Sequence, residues 1–249
     1  MNRCICQGLI AIVLVASACS PPNPASSSVD LIVEEHRLVA APSTEPLAFT
    51  PVDGSMIEIL ALHAAERAKI VPDNSEFILG RHAIRISLGS DLLTATETYS
   101  ASDDRGGVIV TRNDQEIYRI DTGVPSPITG LRGLWVYDDH WVLETAYITP
   151  DAYVGRLSRD GVLLRPLADD EEMFGFQLMA GRPFFFFNVD GNIRLSFDGQ
   201  DIAVDYDEVP HYQCCSSATL NPLHAENMVA FFARRGDSWY YVEAGVFGD

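Results

Sequence analysis

Beyond residue 80, apolar and polar positions alternate in short runs separated by turn residues, the pattern of β-strands joined by hairpins. The run Asn192, Ile193, Arg194, Leu195, Ser196, Phe197 is the plainest case, with one face apolar and the other polar. Runs of this kind predict strands at 76–79, 83–88, 92–99, 108–112, 116–120, 134–137, 141–147, 153–157, 162–167, 174–178, 183–189, 192–197, 201–206, 228–234 and 238–244. Asp138-Asp139, Asp160-Gly161, Asp190-Gly191, Asp198-Gly199 and Gly236-Asp237 punctuate them. A two-residue type I′ loop requires positive φ, which Asp and Gly tolerate. Phe184, Phe185, Phe186 and Phe187 do not alternate. Four aromatics in a row predict a strand buried on both faces between two layers; the competing reading is a platform on which a ligand stacks.

So many short strands exceed one open sheet and call for packed sheets, a barrel or a propeller. Two stretches, 135–167 and 174–206, each hold two hairpins at similar spacing, close to the size of a propeller blade of about 40 residues. The expected fold class is therefore all-β, mainly antiparallel hairpins in a meander, propeller-like or a sandwich, with one N-terminal α-helix. The helix is signalled by a capping box, Ser55 with Glu58. Met56, Ile59, Leu60, His63 and Ala64 follow on one face, and Val71-Pro72 ends the run.

The start of the chain has a different pattern. Arg3 precedes an apolar run over 8–15, too short to span a bilayer but the right length for the core of a secretory leader. The run closes on Ala16-Ser17-Ala18-Cys19, which resembles the lipobox of bacterial lipoproteins. That resemblance implies cleavage of residues 1–18 as a signal peptide and acylation of Cys19. It also implies lipid anchoring, palmitate included, in the cell envelope on the extracytoplasmic side of a bacterial membrane. Residues 19–51, rich in Pro, Ser and Ala, read as a flexible tether, with the alternative that 29–39 adds a strand to the body. Residues 52–249 read as a single mainly-β globular domain.

Composition narrows the partners. Formal net charge is −18 at pH 7, and 47% of residues are hydrophobic, enough for a packed core. So acidic a surface repels phosphate backbones, so nucleic acid is not an expected partner. The expected partners are the membrane, through the lipid anchor, and an unidentified ligand or envelope protein. No cofactor is expected.

Candidate chemistry is densest in 205–216. Asp205, Asp207 and Glu208 could supply paired carboxylates for glycoside hydrolysis. Cys214 and Cys215 are adjacent, and three readings compete: a vicinal disulfide, two packed thiols, or a metal site with His211 and His224. Neighbouring Cα atoms lie about 3.8 Å apart, below the usual disulfide span of about 4.4–6.8 Å, so a bridge here would be strained and labile. Asp169, Asp170, Glu171 and Glu172 read as a solvated turn before a calcium loop. Tyr137, His140, Trp141 and Glu144 gather groups suited to a sugar-binding rim or a hairpin core. The chain has no Gly-x-Ser-x-Gly elbow, His-Glu-x-x-His, phosphate loop or Rossmann fingerprint. The phrases at 181–187, 206–212, 214–216 and 227–247 resemble an uncharacterised family of exported bacterial proteins, a resemblance that implies no activity. The reading that follows is a binding or scaffolding module, with a carbohydrate hydrolase and a Cys214-Cys215 thiol or metal sensor as alternatives.

Overall fold

The structure is a computed structural model that describes residues 31–42, 83–100, 102, 105–124, 130–148, 153–168, 171–212 and 221–246. Among these the protein is all-β, in four antiparallel sheets of four strands. Sheet I holds β2 (Ala83–Leu88), β3 (Asp91–Ser100), β4 (Arg105–Arg112) and β5 (Gln115–Asp121) in chain order. Sheet II holds β6 (Leu131–Tyr137), β7 (His140–Ile148), β8 (Tyr153–Arg159) and the short β9 (Val162–Leu163). Sheet III is β10 (Met173–Met179), β11 (Arg182–Val189), β12 (Asn192–Phe197) and β13 (Gln200–Tyr206). In sheet IV, β14 (Leu223–His224), β15 (Met228–Arg235) and β16 (Ser238–Gly245) are completed by β1 (Ile32–Arg37) from the far end of the chain. The predicted helix over 55–72, the predicted strand at 76–79, and residues 1–18 with Cys19 lie outside the described residues.

Hairpin chemistry places the strands as expected. Asp138 and Asp139 take φ of 48° and 61°, and Asp160-Gly161, Asp190-Gly191 and Asp198-Gly199 are likewise positive at both positions. That is the type I′ signature, whose twist matches the flanking strands. Predicted strands fall on observed ones from β2 onward, usually within three residues at each end. The run predicted at 162–167 is the exception, since β9 covers only Val162–Leu163.

Consecutive sheets share cores. Leu93, Val108, Leu131 and Leu143 pack sheet I on sheet II. Val142, Leu157, Phe176 and Phe187 pack sheet II on sheet III, where the Trp135 and Phe176 rings lie 5.0 Å apart. Phe174, Phe186, Val229 and Phe231 pack sheet III on sheet IV, with Phe186 and Phe231 edge to face at 4.9 Å. β11 lies between two layers, as the phenylalanine run predicts: Phe184 and Phe186 enter the III–IV core, Phe185 and Phe187 the II–III core.

The tether reading of 19–51 requires correction. Ile32–Arg37 is a strand paired antiparallel with β16, from Ile32 opposite Gly245 to Arg37 opposite Tyr240. Leu31 and Val33 pack on the III–IV core, and His36 is buried opposite Tyr241. Glu35 accepts hydrogen bonds from Arg235 at 2.7 and 3.0 Å and from the Tyr206 hydroxyl at 2.6 Å, joining β1 to β15 and β13. Averaged composition masked a short alternating run that covers the otherwise open edge of β16. The folded body thus includes 32–37 as well as strands after residue 52.

Phe186 is fully buried among Phe174, Phe184 and Phe231. Phe186→Ala should therefore lower unfolding free energy by about 3–5 kcal/mol, read as a fall in the urea midpoint with little change in slope.

Candidate functional site

The II–III interface has two different ends. At the end where β6 and β10 begin, it is closed by a buried polar cluster. At the end where β6 finishes and β11 begins, it opens to solvent as a groove.

The closed end is built around Glu144 on β7, 1% exposed. A bulge between Phe174 and Gln177 interrupts the β10–β11 register, and Gly175 within it has φ of +65°. The bulge turns two consecutive N–H groups toward the carboxylate: Gly175 donates at 3.0 Å and Phe176 at 2.9 Å. The Tyr212 hydroxyl donates to the same carboxylate. A Cβ on Gly175 would meet the Phe186 ring at 2.9 Å, so the site needs glycine for space as well as for φ. Burial pushes the Glu144 carboxyl above its ordinary value, partly opposed by these donors and by Arg132. The Arg132 guanidinium, from β6, lies 4.6 Å from the Tyr212 ring centre. Tyr212 itself has φ of 58°, uncommon for a bulky residue.

Beside it lies an ion pair. His211 donates through Nδ1 to the Val209 carbonyl at 2.7 Å and through Nε2 to Glu172 at 3.0 Å. Both partners can only accept, so both ring nitrogens carry hydrogen and the imidazole is cationic against the Glu172 carboxylate. Their side chains are 9% and 11% exposed. Burial works against both charges, yet the pairing prevails, leaving His211 above its ordinary pKa and Glu172 below. The ring stacks flat on Phe174 at 3.5 Å. Glu172 also accepts from the Gly155 N–H at 3.0 Å, which caps the part of the β8 edge that short β9 leaves uncovered. Gly155 has no room for a side chain, because a Cβ would lie 2.3 Å from the Met173 carbonyl.

The open end is a groove of about 570 Å³. Tyr137, Phe185, Pro183 and Leu164 give it apolar walls, and Arg159, Arg165, Ser196 and Asp201 give it polar ones. Arg165, in the segment after β9, grips Asp201 of β13 through two hydrogen bonds at 2.7 and 3.2 Å. Its guanidinium also lies 3.8 Å from the Phe187 ring centre.

The residues singled out in the sequence are distributed differently. Asp205 pairs with Arg194 at 2.5 Å, Glu208 with Arg234 at 2.9 Å, and Asp207 accepts from the Gly236 N–H at 2.7 Å. Asp207 and Glu208, just beyond the outer strand β13, share Arg234, whereas Asp205 on β13 is held by Arg194, so the three do not gather at one point. His211 has both nitrogens committed as described. His224, on β14, meets the Gln177 amide oxygen at 2.5 Å, and burial lowers its pKa to about 4. Among the described residues no three His, Cys, Asp or Glu side chains gather as a metal site; Cys214 and Cys215 lie outside those residues. Trp141 is 6% exposed and belongs to the I–II core, and His140 pairs with Asp160 at 2.5 Å, so of the four rim candidates only Tyr137 lines the groove. Glu172 is no solvated turn residue but half of the buried pair. Glu144 stood in the sequence as a rim candidate; its buried role follows from the Gly175 bulge, which no local pattern announces.

Compared with models of known protein families and with curated proteins, the chain matches none.

Two predictions follow from the closed end. Glu144→Ala strands two backbone N–H groups and a phenol, each costing about 1–3 kcal/mol when left unmet, and should unfold at markedly lower urea. For the ion pair, the raised pKa of His211 makes its contribution complete below its ordinary value of 6.5 and lost as pH rises through the folded value. The lowered pKa of Glu172 makes its contribution complete above 4.5 and lost as pH falls through its folded value. A double-mutant cycle of His211→Leu and Glu172→Leu should therefore give a coupling of about 2 kcal/mol between about pH 4.5 and 6.5, shrinking beyond that window as pH rises through the folded His211 value or falls through the folded Glu172 value.

Proposed function

We propose that this chain is a lipid-anchored extracytoplasmic β-domain that acts as a binding module, with the groove between sheets II and III as its binding surface. The observation that carries this reading is the contrast between the two ends of one interface. The buried acid–base groups at the closed end are consumed by protein partners, whereas the open end leaves a concavity of about 570 Å³. That volume lies within the range of about 300–1,000 Å³ common for small-molecule sites. Arranged as successive blades of a propeller-like body, the sheets would present the groove as the wedge between two blades. β1 would then be the outer strand that draws the N-terminal part of the chain onto the last blade.

The hydrolase reading is less favoured, since Asp207 and Glu208 are tied to Arg234 and Asp205 to Arg194. The anchor rests on the lipobox-like Ala16-Ser17-Ala18-Cys19 and on the position of β1. The acylated residue would stand only 13 positions before Ile32, close to the body.

Two measurements test the two halves. In cells given labelled palmitate, the wild-type chain should incorporate label and sediment with membranes, and Cys19→Ser should do neither. In a ligand-observed NMR screen of aromatic fragments, hits should be lost in Tyr137→Ala, which empties one wall of the groove. Hits unaffected by that substitution would place binding elsewhere.

A further inference from the structure

The groove's charge runs against that of the protein. The chain carries −18 overall, yet the open end brings Arg159 and Arg165 to an apolar floor with one carboxylate, Asp201. That carboxylate is spent on Arg165 in a two-bonded pair. Of the acids on the neighbouring hairpin tips, Asp160 pairs with His140 at 2.5 Å and Asp198 with Arg182 at 3.5 Å, while Asp138 and Asp139 follow Tyr137 on the β6–β7 turn. Arg159, at the end of β8 and exposed, has no ion-pair partner among the described residues. A guanidinium presents planar donors matched to carboxylate, sulfonate and phosphate oxygens. Arg159 lines the groove together with Tyr137 and Phe185.

We propose that this groove binds a small amphipathic anion: an aromatic or otherwise apolar body against Phe185, Pro183, Leu164 and Tyr137, with its single acidic group on Arg159. The inference rests on the binding-module reading and gives it a ligand class. Arg165 serves a different purpose. Held by Asp201 and laid over Phe187, it forms a fixed wall, while Arg159 supplies the charge that selects. Neither part suffices alone. An inorganic anion would gain nothing from the floor and would still meet the repulsion of the whole protein. A neutral aromatic would leave the guanidinium unmatched.

The test is isothermal titration of the intact chain with naphthalene-2-sulfonate, its neutral sulfonamide counterpart and sodium sulfate. Naphthalene-2-sulfonate should bind about tenfold more tightly than the sulfonamide, a difference of about 1.4 kcal/mol. Sulfate should show no measurable binding, and affinity for the sulfonate should fall as salt is raised. Arg159→Gln should remove the preference for the sulfonate while leaving sulfonamide binding and the urea midpoint in place. Arg85→Gln, an exposed change on β2, should alter neither. Equal binding of sulfonate and sulfonamide to the wild type, lost in Tyr137→Ala, would overturn the ligand class and leave the groove as a binding surface. Binding of neither compound would overturn the ligand class; survival of the other reading would then depend on whether the wider fragment screen yields hits lost in Tyr137→Ala.

Discussion

A carboxylate in a protein interior is tolerable only where donors replace its lost water, and much of this fold is arranged around doing that for Glu144. Its side chain leaves β7 in sheet II and is met by two backbone N–H groups of β10 in sheet III and by a phenol from the segment after β13. Three separate pieces of chain thus converge on one group. Stripping an ion of water costs several kcal/mol even after relaxation, so each donor lost from this arrangement should make the buried carboxylate harder to keep charged. The donors exist only because β10 bulges, and the bulge exists only because Gly175 accepts φ of +65° beneath the Phe186 ring. A local backbone irregularity therefore fixes how sheet III sits on sheet II.

The neighbouring His211–Glu172 pair extends the same logic to a strand edge. β9 pairs with β8 only at Ser158 and Arg159, which leaves the outward Gly155 N–H without a strand partner. Glu172 takes that N–H and is in turn neutralised by His211. Arg156 returns from β8 to the Gly155 and Glu171 carbonyls. An edge that would otherwise invite pairing with another chain is closed by side chains. A full-length β9 would have paired that edge with backbone; its brevity is what leaves room for the ion pair and, at the other end, for the groove.

How much of this was legible in the sequence depended on the range of the interaction. Period-two alternation and Asp-Gly turns are local, so β12 and its neighbours could be placed almost to the residue. The phenylalanine run likewise announced a strand between two layers, because burial on both faces leaves no polar positions. A strand within 29–39 stands in the sequence only as an alternative, and its pairing with β16 is not legible there, since Ile32 and Gly245 are neighbours through topology alone. β14 escaped altogether: two residues cannot display a period. The polar cluster was hidden for a related reason. Glu144, Glu172 and His211 look like scattered surface residues until the sheets stack. The acids concentrated in sequence, Asp205, Asp207 and Glu208, spread over a strand and its exit, Asp205 toward Arg194 and the other two toward Arg234.

The two ends of the II–III interface also explain why polar residues can lie on both without serving the same purpose. At the closed end, the two carboxylates and the imidazole find their hydrogen-bond partners within the protein. At the open end the match is incomplete. Arg165 and Asp201 satisfy each other across the sheets, and the guanidinium covers Phe187, which keeps that wall in place. Among the described residues Arg159 has no such counterpart, and Tyr137, Leu164 and Pro183, which line the groove with it, are only half-buried. Chain whose charges are balanced internally holds sheets together; chain whose balance is left to solvent can exchange that solvent for something else. In an acidic protein, an arginine left in this position beside apolar walls is where such an exchange is most favourable for an anion.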